Sequence, residues 1–132
     1  MKLEHIGIAV KDLNISNEIF EKLLGKEPYK EESVSSEGVR TSFFSAGESK
    51  IELVGSEKNG SAIEKYLEKN REGIHHLAFG VDNLEKEIER LKNEGFIFIN
   101  ETPKLGADNK RIVFLHPKST NGVLVELCED VK

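Results

Sequence analysis

HIGIAVKDL at residues 5–13 and HLAFGVDNL at residues 76–84 carry one pattern: histidine, apolar, small, apolar, small, valine, any residue, Asp or Asn, leucine. Such self-similarity marks an internal duplication. In each copy the alternating stretch gives way to helical periodicity, through Ile15, Ile19, Phe20, Leu23 and Leu24 in the first and Leu84, Ile88 and Leu91 in the second. Gly25 and Gly95 stand where a helix ends on a left-handed residue. Strand patterns follow at 27–33, 39–46 and 49–55, then at 96–100, 110–116 and 122–128, with turns at Gly47, Gly106 and Asn121-Gly122. Between the copies, a polar stretch from Ser56 leads into a helix expected over 61–69, with Ile63, Tyr66 and Leu67 on one side. The expected architecture is α+β: two tandem βαβββ modules, 1–55 and 73–132, joined by a linker helix within 56–72 and forming one curved mixed sheet around a metal site in a single domain, 1–132.

The metal expectation comes from strand alternation, which sends successive side chains to opposite faces. Ile6, Ile8 and Val10 share one face, suited to a helix, and His5, Gly7 and Ala9 share the other. The second copy repeats this with Leu77, Phe79 and Val81 against His76, Ala78 and Gly80. Small residues on the histidine side leave room for a ligand. In the last strand of each copy, Ile51 and Leu53, or Val123, Val125 and Leu127, face the helices, while Glu52 and Glu126 face away. Two carboxylates brought together unpaired repel and resist burial. A divalent cation resolves that conflict, and two nitrogen plus two oxygen donors suit Co, Ni, Mn, Fe or Zn. His75 falls on the Leu77 face, where the first copy has Glu4, and is read as structural.

Composition narrows the classes. A net charge of -5 with 33% charged residues gives no broad basic footprint, so no nucleic-acid partner is expected. No apolar run approaches the roughly 20 residues of a membrane helix, so no membrane partner is expected. Cys128 is the only cysteine, which excludes an intrachain disulfide, and the first residues lack a signal or transit pattern, so the expected location is the cytosol.

The metal-ligand segments HIGIAV, KIELV, HLAFGV and GVLVELC resemble the vicinal oxygen chelate superfamily over the whole chain. Within it, EGIHHLAFGVDN (72–83), ETPKLGADNKRIVFLHPKSTNGVLVELCE (101–129) and SAIEKYLEKN (61–70) are most similar to the methylmalonyl-CoA epimerases. The resemblance implies epimerisation of (R)- and (S)-methylmalonyl-CoA by proton abstraction and return at C2 through a metal-stabilised enolate. It places His5, Glu52, His76 and Glu126 on the metal positions, with cobalt expected first. Thr41 stands where several epimerases carry a catalytic glutamate, so the resemblance leaves one base unassigned; the pseudo-symmetry of the repeat makes Glu126 one expected proton carrier and its counterpart Glu52 the other. Lys104, Lys110, Arg111, His116 and Lys118 are the candidates for contact with the acyl-CoA substrate. A homodimer is expected by the same analogy. The alternatives are a glyoxalase I-type lactoylglutathione lyase, which shares the fold and ligand types, and a non-catalytic bleomycin-resistance-like binding protein, which needs no converging His and Glu set.

Overall fold

A computed structural model describes residues 1–131 of the chain. In order, the elements are β1 (Lys2–Ala9), α1 (Leu13–Leu24), β2 (Lys30–Val34), β3 (Val39–Ala46), β4 (Ser49–Ser56), α2 (Ala62–Lys69), β5 (Gly73–Gly80), α3 (Leu84–Asn93), β6 (Lys104–Leu105), β7 (Lys110–Leu115), a 3-10 turn (Pro117–Ser119) and β8 (Val125–Asp130). Among the described residues, no helix is long and apolar enough to cross a membrane. The chain forms two compact units, one of Ile6–His75 and one of Met1–His5 together with the chain from His76 onward. The unit boundaries therefore fall within β1 and within β5.

In the unit Ile6–His75 the strands run in the order β2-β3-β4-β1. β3 lies antiparallel to β2 and to β4, with Phe43 opposite Glu52 and Thr41 opposite Val54. Residues opposite each other share a face, so Leu53 with Ser42, and Ile51 with Phe44, take the other side. On that side Ile8, Val10, Phe44, Ile51 and Leu53 pack against Leu13, Phe20 and Leu24 of α1, as the alternation predicts.

Helix α1 starts at Asp12, whose Oδ1 accepts the Ile15 N–H at 3.0 Å, and stops at Gly25, with φ 72°. Its apolar periodicity is only half used. Ile15, Ile19 and Leu23 are 58%, 55% and 70% exposed, contrary to a reading in which all five periodic residues face the core. The stripe of Leu13, Phe20 and Leu24 meets the sheet, and a helix cannot turn two stripes to one surface.

The opposite side of this unit is less open than the small-residue pattern implies. Ala9, Val39 and Val54 are covered by Ile63, Tyr66 and Leu67 of α2. Helix α2 is fixed by Ser61 Oγ accepting the Glu64 N–H at 3.0 Å, while Glu64 Oε1 reaches back to the Gly60 N–H at 2.9 Å.

In the second unit the order is β1-β5-β8-β7-β6, with β5 and β8 parallel and β7 antiparallel to both β6 and β8. Leu84, Ile88 and Leu91 of α3 bury against Phe98, Val113, Leu115 and Leu127, flanked by Phe79, Val81 and Val125. Burial of one such leucine contributes about 1.5–3 kcal/mol.

Two expectations shift here. Residues 96–100 form no strand: Phe98 makes a single bridge to Leu115, and the short strand before β7 comes later, at Lys104–Leu105. The alternation at 96–100 is real, since Phe98 is buried while Ile97 and Ile99 are exposed, but the segment is tied only to the end of β7. Ile99 N–H donates to Phe114 O, and His116 N–H donates to Ile97 O. β8 starts at Val125 rather than 122, because the 3-10 turn and left-handed Asn121 and Gly122 occupy the approach. Val123 is consequently 39% exposed and does not face the helix.

Candidate metal centre

The parallel register of β5 with β8 sets Ala78 beside Glu126, and the antiparallel register of β7 sets Phe114 on the other flank of Glu126. His76 lies two residues before Ala78 on β5 and shares its face. Within the same unit the first half of β1 supplies His5.

These side chains converge. His5 Nε2 lies 3.2 Å from His76 Nε2 and 3.8 Å from Glu126 Oε2, and His76 Nε2 lies 3.5 Å from Glu126 Oε1. His5, His76 and Glu126 are 4%, 5% and 6% exposed. The two imidazoles meet edge to face, with ring centroids 5.3 Å apart, and His76 stands edge to face with Phe114 at 6.1 Å. Ala78, Ile112 and Cys128 form a buried apolar cluster on this side, with Phe114 packed against it. Burial there, reinforced by the charges of Glu126 and Glu4, pushes the Cys128 thiol well above its ordinary pKa.

The donor set fits a transition-metal or zinc ion. Ligands about 2.1 Å from a metal lie about 3.0 Å apart in an octahedron and about 3.4 Å apart in a tetrahedron. The three spacings fall in or just beyond that range. Where both Nε2 atoms present lone pairs they repel each other across 3.2 Å, and a cation between them relieves that repulsion.

Glu4 was not identified from the sequence. Although adjacent to His5 on a strand, it is 5% exposed, and its Oε1 lies 3.4 Å from His5 Nδ1. Alternation assigns the two residues to opposite faces, and no pattern in the sequence signals that both are buried. Its repeat counterpart, His75, packs edge to face on Tyr66 of α2, with ring centroids at 4.7 Å.

Glu52 belongs to the unit Ile6–His75, on β4, 6% exposed and cross-strand from the buried Phe43. Thr41, 1% exposed, sits between Glu32 and Val54 on the same face.

The candidate basic residues lie on the paired strands β6 and β7 and in the 3-10 turn that follows. Lys104 is exposed on β6, and Lys118 is exposed in the 3-10 turn, where His116 Nδ1 accepts the Lys118 N–H at 3.1 Å. Lys110 is paired with Asp130. Burial works against the Lys110 ammonium, but the Asp130 hydrogen bond and the charges of Glu4, Asp130 and Asp108 outweigh it and raise the pKa. Arg111 pairs with Glu85 and, at 2.7 Å, with Glu129, and hydrogen bonds to these two carboxylates raise its pKa further.

Residues 4–114 match the sequence profile of the Glyoxalase/Bleomycin resistance protein/Dioxygenase superfamily. The mitochondrial methylmalonyl-CoA epimerase of Dictyostelium discoideum is 40% identical over 129 residues, which cover 97% of this chain and 78% of that protein. The uncharacterized Bacillus subtilis protein YqjC is 38% identical over 128 residues, covering 97% of this chain and 91% of that protein. Among solved structures, a variant of the Streptomyces coelicolor methylmalonyl-CoA epimerase in complex with 2-nitronate-propionyl-CoA superposes with a TM-score of 0.92 at 32% identity, covering 99% of this chain and 95% of the other. The resemblance to methylmalonyl-CoA epimerases read from residues 61–70, 72–83 and 101–129 thus extends to sequence and structure alike. By profile, relatives and fold, the chain belongs to the glyoxalase/bleomycin resistance/dioxygenase superfamily.

Proposed function

We propose that this chain is a metal-dependent methylmalonyl-CoA epimerase. The observation that supports this reading most directly is the buried convergence of His5 Nε2, His76 Nε2 and the Glu126 carboxylate, in a chain 40% identical to a protein of that name. We assign His5, Glu52, His76 and Glu126 as ligands of one divalent ion, cobalt first. Glu52 joins the set as the repeat counterpart of Glu126: IELV and VELC each centre a buried carboxylate on a closing strand.

Epimerisation requires removal of the C2 proton beside a thioester carbonyl and its return to the opposite face. The bound ion supplies Lewis acidity for the developing oxyanion. Glu126 takes the proton from one face of C2, and Glu52 returns a proton to the other. In the reverse direction the roles exchange; each turnover leaves Glu126 protonated and Glu52 deprotonated, and proton exchange with solvent restores the starting state. General acid-base catalysis of this kind contributes about 10² to 10⁴ in rate. The apolar cluster of Ala78, Ile112 and Phe114 beside Glu126 keeps water from competing for that carboxylate.

The polyanionic CoA needs cationic partners, and in this reading Lys104, Lys118 and His116 meet its phosphates. Lys110 and Arg111 join them only by exchanging their present carboxylate partners. The homodimer is part of the same proposal, and sedimentation velocity decides it by showing one or two times 14.8 kDa.

The deciding experiment follows deuterium uptake at C2 of methylmalonyl-CoA in D₂O, with cobalt-loaded protein beside protein stripped by chelator. Metal-dependent exchange is expected, and Glu126→Gln should abolish interconversion of the two epimers while the fold survives. Absence of exchange in protein that holds its metal removes the epimerase reading and brings hemithioacetal isomerisation forward.

A further inference from the structure

The geometry points to Glu4 as a positioning residue of the metal centre: its carboxylate accepts a hydrogen bond from the His5 Nδ1–H and so aims His5 Nε2 at His76 and Glu126. The inference rests on the metal reading above and deepens it, because it concerns how a ligand is held rather than which residues are ligands.

A neutral imidazole carries one N–H and one lone pair, and the partner of one nitrogen decides the state of the other. With Glu4 Oε1 3.4 Å from Nδ1, the proton belongs on Nδ1 and the lone pair on Nε2, the atom that lies 3.2 Å from His76 Nε2. A carboxylate behind a ligating histidine also makes the ring a better donor and limits its rotation.

The surroundings of Glu4 suit that task. A buried carboxylate is costly unless it is compensated. Lys110, whose side chain is 13% exposed, places an ammonium near enough for Glu4 to help keep it protonated. The role is also particular to the first copy, because the residue before His76 is His75, which is turned to Tyr66.

The test is titration with Co²⁺, read by visible absorption, for wild type, Glu4→Ala and Glu4→Gln, with thermal midpoints of the metal-free proteins alongside. Glu4→Ala should weaken Co²⁺ binding by about 10- to 100-fold. Glu4→Gln, whose amide oxygen still accepts, should lose less. Long-range ¹H–¹⁵N spectra of the zinc-loaded wild type give a readout that no folding defect can disturb, with His5 expected as the Nδ1–H tautomer. Unchanged affinity in folded Glu4→Ala, or a proton on His5 Nε2, would overturn the inference and leave the metal reading standing. A wild type that binds no Co²⁺ would overturn both.

Discussion

Helix α1 leaves Ile15, Ile19 and Leu23 in water, whereas α3 buries all three of its apolar residues, Leu84, Ile88 and Leu91. Both helices follow the same repeat and begin in the same way, with an Asx cap one residue before a buried leucine. The difference lies in supply. α3 has just one stripe, at i, i+4 and i+7, so its orientation is determined. α1 has enough apolar residues for two stripes, and the sheet takes one. Duplication therefore carried over the strands that hold the histidines, while each copy covers its sheet by its own means. In the first copy that includes α2 over Ala9 and Val54. In the second, Cys128 stands at the place of Val54 and packs with Ala78 and Ile112.

The contrast makes quantitative demands on urea unfolding of the metal-free protein. Leu84→Ala, at a fully buried position, should cost about 3 kcal/mol, because it leaves a hole in a cluster with one covering helix. Asp12→Ala should cost about 1 kcal/mol. Asn83→Ala should cost less, since the Leu84 N–H at the start of α3 also has Glu129 Oε2 at 3.0 Å. Equal losses would mean that Glu129 adds nothing to that helix end. Cys128→Val, which restores the residue of the other copy, should cost less than about 1 kcal/mol, being close in volume. Ile19→Ser should fall within about 0.5 kcal/mol of wild type. A loss several times larger would show that the α1 stripe is covered in solution, and the comparison would fail.

The repeat made much of this legible. Alternation in KIELV and GVLVELC correctly sent Leu53 and Leu127 to the helices. Gly25 and Gly95 lie at left-handed positions where the helices end. Periodicity located α1 but did not say which of its stripes faces inward, since both satisfy the same spacing. The spacing of Ile63, Tyr66 and Leu67 announces α2, yet what α2 covers depends on tertiary packing. The strand expected at 96–100 failed because alternation reports one-sided burial, which Phe98 satisfies with a single bridge. Glu4 was hidden for a related reason: a period of two allots a residue one face and does not provide for neighbours that are both buried.

His5 and His76 are 71 residues apart in the chain and meet at 3.2 Å. On a ribosome adding about 5–20 residues per second, the first histidine therefore waits about 4–14 s before the second is even made. During that interval the first half of β1 is a nascent strand without its β5 neighbour, and such strands invite pairing with other chains. Lys2 and Glu4, set between the apolar residues of that segment, are charges of the kind that discourage such pairing. The residue that stands behind His5 in the finished protein would thus serve earlier, as a guard on the unfinished one.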